Sequence, residues 1–354
     1  MSQEIQPFSF KFSDNIPSLL HRLKCTLAIS TYQAGKLIFL GSFDGQNITQ
    51  MARNFPKPMG IGLEGDWLAI ATLGEVLLLK NEPDLAANYP PHPGLYDKLY
   101  MPRLSYYTGM LDIHDVSWGE EGVWAVNTQY SCLSLITGYY SFEPKWKPNF
   151  ITELAPEDRC HLNGLAMVDR KPAYVTALGS EDIAESWRKT KVSGGILMHV
   201  DSNEIIAKGL AMPHSPRFYD GDIYVLLSAT GQLAKIDPQS GKIEILANLG
   251  GMVRGMSRID NYLFIGMSKI RKASKGFQDL PIAKTADKAG ILVFNLETGK
   301  VDGTIIYQRS VDEIYDVSVF PNTIRPDIIT PEKEVSKFGV TQPLGSVWKV
   351  PKEK

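Results

Sequence analysis

Residues Cys160–Ala166 read CHLNGLA, a short apolar run that carries two polar side chains. Five related segments recur along the chain, which makes six in all. Each of the first five in chain order is followed by a short turn and then by an aromatic or β-branched run. The other five begin at Pro58, Ile113, Pro213, Val253 and Ile314. Three of the six histidines lie in this set. We therefore interpret the six segments as copies of one structural unit.

The runs that follow each segment have the pattern of antiparallel strands. Ser215–Tyr219 is followed by an Asp-Gly turn, and then by Ile223–Leu227 and Leu233–Ile236. Turn residues between alternating apolar runs are typical of β-hairpins. Units of about four short strands over about 40 to 60 residues predict a β-propeller.

The two ends of the chain complement each other. The last segment, Glu313–Phe320, has no further strands of its unit after it, whereas Thr26–Asn54 contains three strands with no first strand before them. We therefore predict an all-β, six-bladed propeller closed by pairing of the N-terminal strands with a C-terminal strand, with seven blades as the alternative. The expected organisation is an N-terminal extension (1–24), one propeller domain (25–325) and a C-terminal tail (326–354).

The bulk composition excludes several classes of partner. The net charge is −2 and the isoelectric point is about 6.3, so no broad basic field favours nucleic acid or an anionic membrane. No secretory signal or membrane-spanning stretch is evident, and we expect a cytoplasmic protein. Cys25, Cys132 and Cys160 have no CxxC spacing, which predicts buried thiols. The sequence leaves the oligomeric state open.

We aligned the six segments on the turn and second strand that follow them. Two columns of this alignment, called rows below, contain mostly polar residues. One row contains Met59, His114, Asn163, Ser215, Arg254 and Tyr315; the other, two positions earlier, contains Lys57, Asp112, His161, Pro213 with its neighbour His214, Met252 and Glu313. Side chains alternate along a strand, and the first strand of each propeller blade lines the channel. The rows therefore predict two stacked polar rings near one end of a central channel.

Asp115 and Asp316 align with glycines in three other segments, namely Gly60, Gly164 and Gly255. Close packing at this position favours a structural role, in which the carboxylates bond to the backbone of neighbouring blades. Arg217 and Arg254 either form salt bridges between blades or bind a carboxylate or phosphate group of a ligand.

Three longer stretches interrupt the repeats. Insertions at 179–194 and 268–290 fall between the second and third strands of their units, on the side where the channel strands begin. We expect them to rim the polar mouth. The third stretch, 81–110, is rich in proline and tyrosine, and long structured loops in compact domains are often functional.

These features support two functional hypotheses. In the first, the channel mouth binds a small or peptide-like anionic substrate. The catalytic candidates are His114, His161 and Glu313, and the ligand-binding candidates are Asn163, His214, Arg217, Arg254, Asp112 and Tyr315. Either His114, His161 and His214 bind a divalent transition metal, or a histidine and Glu313 perform acid–base chemistry without one. In the second hypothesis the protein is a non-catalytic module that binds a protein or peptide through its rim and the 81–110 insertion.

Two resemblances bear on these hypotheses. Asn163–Ala166, together with the Asp220-Gly221 turn, is similar to gluconolactonase and strictosidine-synthase-like six-bladed propellers. In those families an Asn-Gly-Leu strand supplies an asparagine to a metal or active site at the channel. Of their ligand positions only Asn163 has a match here, and histidines occupy the region instead.

A closer resemblance covers nearly the whole chain. The segments His161–Ala166, Met212–Arg217, Arg254-Gly255, Gly266–Arg271 and Glu313–Val317 resemble a bacterial, propeller-like family of unknown function. This resemblance implies a fold and leaves the biochemical role open.

Overall fold

The computed structural model describes residues 6–270 and 275–349. It is all-β, with 49% strand and 6% helix, and its strands form six blades around a channel. The predicted class and blade number are confirmed.

The first half of the chain forms an N-terminal segment, most of blade 1, and blades 2 and 3. The N-terminal segment contains β1 (Phe10–Phe12) and α1 (Ile16–Arg22). Blade 1 takes β2 (Cys25–Thr31), β3 (Lys36–Gly41) and β4 (Thr49–Asn54). Blade 2 contains β5 (Ile61–Glu64), β6 (Trp67–Ala71), β7 (Glu75–Asn81), helix α2 (Pro83–Ala87) and β8 (Lys98–Tyr107). Blade 3 contains β9 (Ile113–Gly119), β10 (Gly122–Asn127), β11 (Cys132–Ile136) and β12 (Glu143–Trp146).

The second half forms blades 4 to 6 and completes blade 1. Blade 4 contains β13 (Leu162–Val168), β14 (Lys171–Ala177), β15 (Gly195–His199) and β16 (Ile205–Leu210). Blade 5 contains β17 (Pro213–Tyr219), β18 (Asp222–Leu227), β19 (Gln232–Ile236) and β20 (Ile243–Asn248). Blade 6 contains β21 (Met252–Ile259), β22 (Tyr262–Ser268), β23 (Ala289–Asn295) and β24 (Lys300–Tyr307), and β25 (Asp316–Pro321) returns to blade 1. Short 3-10 helices cover Ser186–Lys189, Lys275–Phe277 and Glu334–Lys337.

Blade 1 closes the ring as the sequence predicts. Strand β25 pairs antiparallel with β2, from Cys25 opposite Pro321 to Ser30 opposite Asp316. The predicted Asp-Gly hairpin turn is also present. Asp220 (φ +52°) and Gly221 (φ +88°) form a two-residue left-handed turn between β17 and β18. Closure with both chain ends in one sheet leaves no open edge to the ring.

Both terminal segments join blade sheets. Strand β1 pairs with β24 and becomes a fifth strand of blade 6. Strand β26 (Pro326–Ile328) pairs in parallel with β8 at the edge of blade 2. A hairpin of β27 (Gly339–Gln342) and β28 (Gly345–Trp348) lies against α2, where Trp348 Nε1 donates to the Leu85 carbonyl at 2.9 Å. The described parts of the predicted extension and tail therefore contribute to the sheet edges.

The core consists of apolar layers between neighbouring blades. Six clusters of buried side chains each join two adjacent blades. Between blades 3 and 4, for example, Val126, Leu162 and Val175 are fully buried. Helix α1 adds Ile16 and Leu20 to the layer between blades 6 and 1. Each blade is thus stabilised chiefly by burial against its two neighbours.

Cys25 and Cys160 lie within these layers, and all three cysteines are free and buried, as predicted. Burial raises the pKa of Cys25 and Cys160 to about 12 and that of Cys132 to about 11. The thiols therefore stay protonated at neutral pH and are poor nucleophiles.

One ring of six equivalent positions forms the narrowest contact between the inner strands. This waist ring alternates glycine with a polar residue: Gly60, Asp115, Gly164, Ser215, Gly255 and Asp316. A Cβ on Gly60 would lie 2.9 Å from the Cα of Asp115, and one on Gly255 would lie 2.7 Å from the Cα of Asp316. The blades approach too closely there for any side chain.

The polar members of the waist ring bond to the next blade. Asp316 accepts from the Ile61 amide at 2.9 Å, Asp115 from the Leu165 amide at 3.1 Å, and Ser215 from the Gly255 amide at 2.9 Å. These bonds join blade 1 to 2, blade 3 to 4 and blade 5 to 6. The structural role predicted for Asp115 and Asp316 agrees with this geometry.

Arg217 lies at the centre of the waist ring. Its Nη1 donates to Asp115 Oδ2 at 2.9 Å and to the Leu165 carbonyl at 3.2 Å, and its Nε donates to the Met256 carbonyl at 3.2 Å. Nη2 lies 3.7 Å from Asp316 Oδ1. One guanidinium on blade 5 thus contacts blades 3, 4, 6 and 1.

The charge balance of this cluster depends on burial. Burial raises the pKa of Asp316 to about 7, although Arg217 and the neighbouring backbone amides favour its ionised form. The two carboxylates therefore carry less than two full negative charges beside one guanidinium at neutral pH.

Replacing Arg217 with methionine is expected to lower the free energy of unfolding by about 3 to 5 kcal/mol, because Asp115 and Asp316 would lose their buried counter-ion. Chemical denaturation measures this change. As the control, Arg170→Met removes an arginine that is 53% exposed and paired with Glu64, and should cost less than about 1 kcal/mol. Equal stability of the two variants would contradict the role assigned to Arg217.

Candidate functional site

The inner strands begin at a ring of residues with unusual backbone. Lys57, Asp112, His161 and Met212 have φ between +47° and +52°, a left-handed conformation that costs a non-glycine residue about 1 kcal/mol or more. Together with Met252 and Glu313 they form the mouth ring, one residue per blade. The repeated conformation shows that these positions are equivalent in the blades that contain it.

A second ring lies two residues further along each strand. Its members are Met59, His114, Asn163, His214, Arg254 and Tyr315. The alignment of blade 5 by sequence was one residue out of register, since it placed Ser215 in this ring and Pro213 in the mouth ring. In the structure Ser215 has φ +49°, and the pairing of β17 with β18 shifts between His214 and Arg217. Blade 3 has the same bulge, because the pairing of β9 with β10 shifts between Val116 and Ile113. Counted back from the turn, Ser215 lies as far from Tyr219 as Asp115 lies from Gly119. His214 is therefore level with His114, Met212 is in the mouth ring, and Ser215 is in the waist ring.

His114 and His214 are held in the same way. The Nδ1 of each lies 2.9 Å from the carbonyl oxygen two residues earlier, that of Asp112 or Met212. The hydroxyl of Thr128 or Ser228 also lies 2.9 Å from that Nδ1 and donates to a carbonyl of the next blade. Both imidazoles are therefore fixed by their own strand and by a side chain that joins two blades.

Both imidazoles are neutral at neutral pH. Burial, reinforced by His161 and Arg254, lowers the pKa of His114 to about 3 although Asp112 opposes the shift. Burial and the charge of Arg254 also hold the pKa of His214 well below its ordinary value. Because a carbonyl oxygen can only accept, the hydrogen-bond pattern assigns the proton to Nδ1 and leaves each Nε2 as an acceptor.

His161 has a different partner. Its Nδ1 lies 2.9 Å from both carboxylate oxygens of Asp158. Trp187 Nε1 donates to the same carboxylate at 3.1 Å, and the Trp187 ring lies 4.1 Å from the imidazole, measured between centroids. His161 also meets the His114 ring edge-on, with centroids 4.7 Å apart. A carboxylate on Nδ1 orients an imidazole and fixes the tautomer with its proton on Nδ1.

Arg254 projects from blade 6 onto Tyr315. Its guanidinium carbon lies 3.4 Å from the Tyr315 ring centroid, a cation–π contact. Its Nη2 is buried and has no hydrogen-bond partner among residues 6–270 and 275–349.

Asp112 lies among these basic groups. Partial burial opposes ionisation of its carboxyl, but the surrounding imidazoles and Arg254 outweigh the burial and hold the pKa of that carboxyl below its ordinary value.

These side chains surround a cavity of about 110 Å³ at the channel mouth. It is lined by Gln33, His114, His161, Leu178, Trp187, Met212, His214, Met252, Arg254, Ser268, Lys269, Ile270, Phe277 and Glu313. Both predicted insertions reach it, through Trp187 and Phe277, although residues 271–274 lie outside the described part of the second insertion. The cavity thus lies where the sequence predicted a rimmed polar mouth.

The remaining predicted site residues lie outside the cavity lining. Asn163 Oδ1 accepts from Thr176 Oγ1 at 2.9 Å, which occupies its side chain within blade 4. Asp112 adjoins His114, and Tyr315 lies beneath Arg254. Arg217 faces a separate cavity of about 450 Å³ at the opposite mouth, and the two cavities share no lining residue.

The metal hypothesis gains no support from this geometry. Among the described residues, no group of three His, Cys, Asp or Glu side chains is arranged to hold a metal ion. His114 and His161 adjoin edge-on, and each Nδ1 is engaged by a carbonyl or a carboxylate. The donors suit an organic ligand better than a closed coordination shell.

Sequence reasoning missed several residues of this site. Asp158 lies before the first strand of blade 4 and was not among the candidates, although an aspartate three residues before a candidate histidine is a usable signal. Thr128 and Ser228 occupy equivalent positions after the second strands of blades 3 and 5. Met212 was missed because the register of blade 5 was misaligned.

The comparisons identify a family and a fold. Residues 14–329 match the family described as domain of unknown function (DUF4915), and the chain belongs to this family. A chain from a crystal structure of a nidogen/laminin complex is similar, with a TM-score of 0.50 and 9% identity, over 84% of this chain and 99% of that one. No curated protein shows a significant sequence match. In the part of the chain described, no helix is long and apolar enough to cross a membrane.

Buried His114 is expected to make stability depend on pH. Its folded pKa of about 3 lies below the unfolded value of 6.5, so the unfolded chain binds the extra proton first and stability falls as the pH drops below about 6.5. The expected loss at about pH 5 is about 2 kcal/mol. His114→Asn, chosen because Asn163 occupies the equivalent position of blade 4, should remove this part of the decline.

Denaturant unfolding at about pH 7.5 and about pH 5 measures the effect. His21→Asn, which replaces an exposed histidine of α1, is the control and should keep the wild-type decline. A wild-type decline in His114→Asn as well would show that the burial of His114 is not its source.

Proposed function

We propose that the cavity at the channel mouth binds a small anionic ligand, that Arg254 holds its anionic group, and that His161 exchanges a proton with it. The main support for this proposal is the environment of Arg254. A buried guanidinium nitrogen without a hydrogen-bond partner is costly, and a carboxylate or phosphate oxygen is its natural acceptor. Arginine also presents its donors in a fixed planar fork, which suits such groups.

Among the residues that the structure describes, the other basic side chains near the cavity are engaged. Lys269 Nζ lies 2.8 Å from Asp312 Oδ1, and Lys57 Nζ lies 5.0 Å from the Tyr32 ring centroid. The neutral imidazoles of His114 and His214 add no positive charge. Arg254 is therefore the cation best placed to determine where an anionic group binds.

Of the three catalytic candidates, His161 has the environment of a general base. Asp158 holds the proton on Nδ1 and leaves Nε2 as the acceptor, and the Trp187 ring holds the imidazole plane in position. His114, with its pKa near 3, is a poor proton acceptor at neutral pH. Glu313 lines the cavity from blade 1 and is the remaining candidate for proton transfer.

The rim hypothesis is the alternative and gains less from the contacts. Within the 81–110 insertion, Tyr89 packs against Trp348 and Tyr96, and Tyr100 is fully buried. These tyrosines therefore serve the edge of blade 2. Tyr107, 83% exposed, is the insertion residue best placed for a partner.

Arg254→Met should weaken the binding of acetate or inorganic phosphate at least tenfold, because the variant loses charge-assisted hydrogen bonds at nearly constant side-chain length. Isothermal titration at low ionic strength measures this change. Arg170→Met, at the opposite mouth, is the matched control and should bind like the wild type. Tyr107→Ala should also leave binding unchanged.

Anion binding that is equal in Arg254→Met and the wild type would overturn the proposal. Loss of binding in Arg170→Met alone would move the site to the opposite mouth, and loss in Tyr107→Ala alone would favour the rim.

A further inference from the structure

We infer that the ligand is a small carboxylate that carries a hydrogen-bond donor beside the carboxylate and a compact apolar side chain. This inference rests on the proposed function and specifies the ligand of the same cavity. Its basis is the unequal chemistry around the rings and the tautomers of the two buried imidazoles.

The mouth ring is divided into a polar and an apolar arc. Blades 1 to 4 contribute Glu313, Lys57, Asp112 and His161, whereas blades 5 and 6 contribute Met212 and Met252. Met212 is 2% exposed, and Leu178 and Trp187 beside it are equally buried. A ligand held by Arg254 therefore faces an apolar wall on one side.

Methionines are suited to this wall. Their flexible, polarisable side chains adapt to the shape of a small alkyl group, and Phe277 extends the same surface from the second insertion. An inorganic anion would leave the half-buried part of this wall, Met252 and Phe277, in contact with water. A ligand with an alkyl group would bury that part and gain hydrophobic free energy.

The two imidazoles specify a donor on the ligand. His114 and His214 use their Nδ1 protons within the protein, so each Nε2 is left as an acceptor at the cavity. A lone pair repels a carboxylate oxygen and attracts a hydroxyl or ammonium proton. The donor on the ligand is therefore a hydroxyl or an ammonium group.

The cavity size limits the ligand further. About 110 Å³ accommodates several water molecules or one small organic acid, and not an extended peptide. A small ligand is thus favoured over the peptide-like ligand that the sequence left open.

Titration of the wild type with acetate, isovalerate, α-hydroxyisovalerate and valine tests each element. Isovalerate should bind at least tenfold more tightly than acetate, because each added methylene contributes about fourfold. One of the two donor-bearing compounds should bind about fivefold more tightly than isovalerate. Preference for α-hydroxyisovalerate identifies a hydroxyl, and preference for valine identifies an ammonium group.

Two variants separate the contributions. Met252→Gln places an amide on the half-buried part of the apolar wall and should reduce the ratio of the isovalerate affinity to the acetate affinity. His214→Asn can keep the bond to the carbonyl two residues earlier, as Asn163 does at 3.4 Å in blade 4, but the shorter side chain removes the Nε2 acceptor. It should reduce the advantage of the donor-bearing compounds over isovalerate, because the Nε2 of His114 remains.

The outcomes distinguish this inference from the proposed function. Acetate binding that depends on Arg254, with no gain for isovalerate or its derivatives, would overturn the inference and leave the anion site standing. Donor-bearing compounds that bind more weakly than isovalerate would overturn the donor assignment. Failure of every carboxylate to bind would overturn both proposals.

Discussion

The inner strands approach each other so closely at the waist of the channel that alternate blades have no room for a side chain. Gly60, Gly164 and Gly255 supply the space, and the residues between them use side-chain oxygens to bond the next blade. Arg217 then joins the two carboxylates across the ring. Because each apolar layer joins chiefly two neighbouring blades, this polar cluster connects blades that are not adjacent in the ring.

The waist also determines where ligand chemistry is available. It separates the cavity lined by Arg254 from the cavity that Arg217 faces. Above it, each blade directs one side chain to the mouth, and in four of the six blades that residue has a left-handed backbone. The site thus depends on repeat geometry for its positions and on differences between blades for its chemistry. The same position is aspartate in blade 3, histidine in blade 4 and methionine in blades 5 and 6.

Two arginines of the inner strands have different environments for this reason. Arg217 is surrounded by carboxylates and carbonyls that satisfy its donors. Arg254, one ring nearer the mouth, contacts an aromatic face and retains a buried nitrogen without a partner in the described residues. From the sequence, each arginine could form either a salt bridge or a ligand contact, because a residue type does not reveal what lies across a channel.

The sequence by itself determined the class, the number of blades, the closure through β25 and the composition of the mouth. These follow from hydrophobic alternation and turn residues, which act over a few positions. It also placed the glycine-equivalent aspartates in a structural role. The tertiary structure decided the register of His214, the partnership of His161 with Asp158, and the division of the mouth into polar and apolar arcs. The register of His214 also follows from counting back from the Asp220-Gly221 turn. The last two features arise from contacts between blades, where the energy lies in groups far apart in the chain and no local pattern records it.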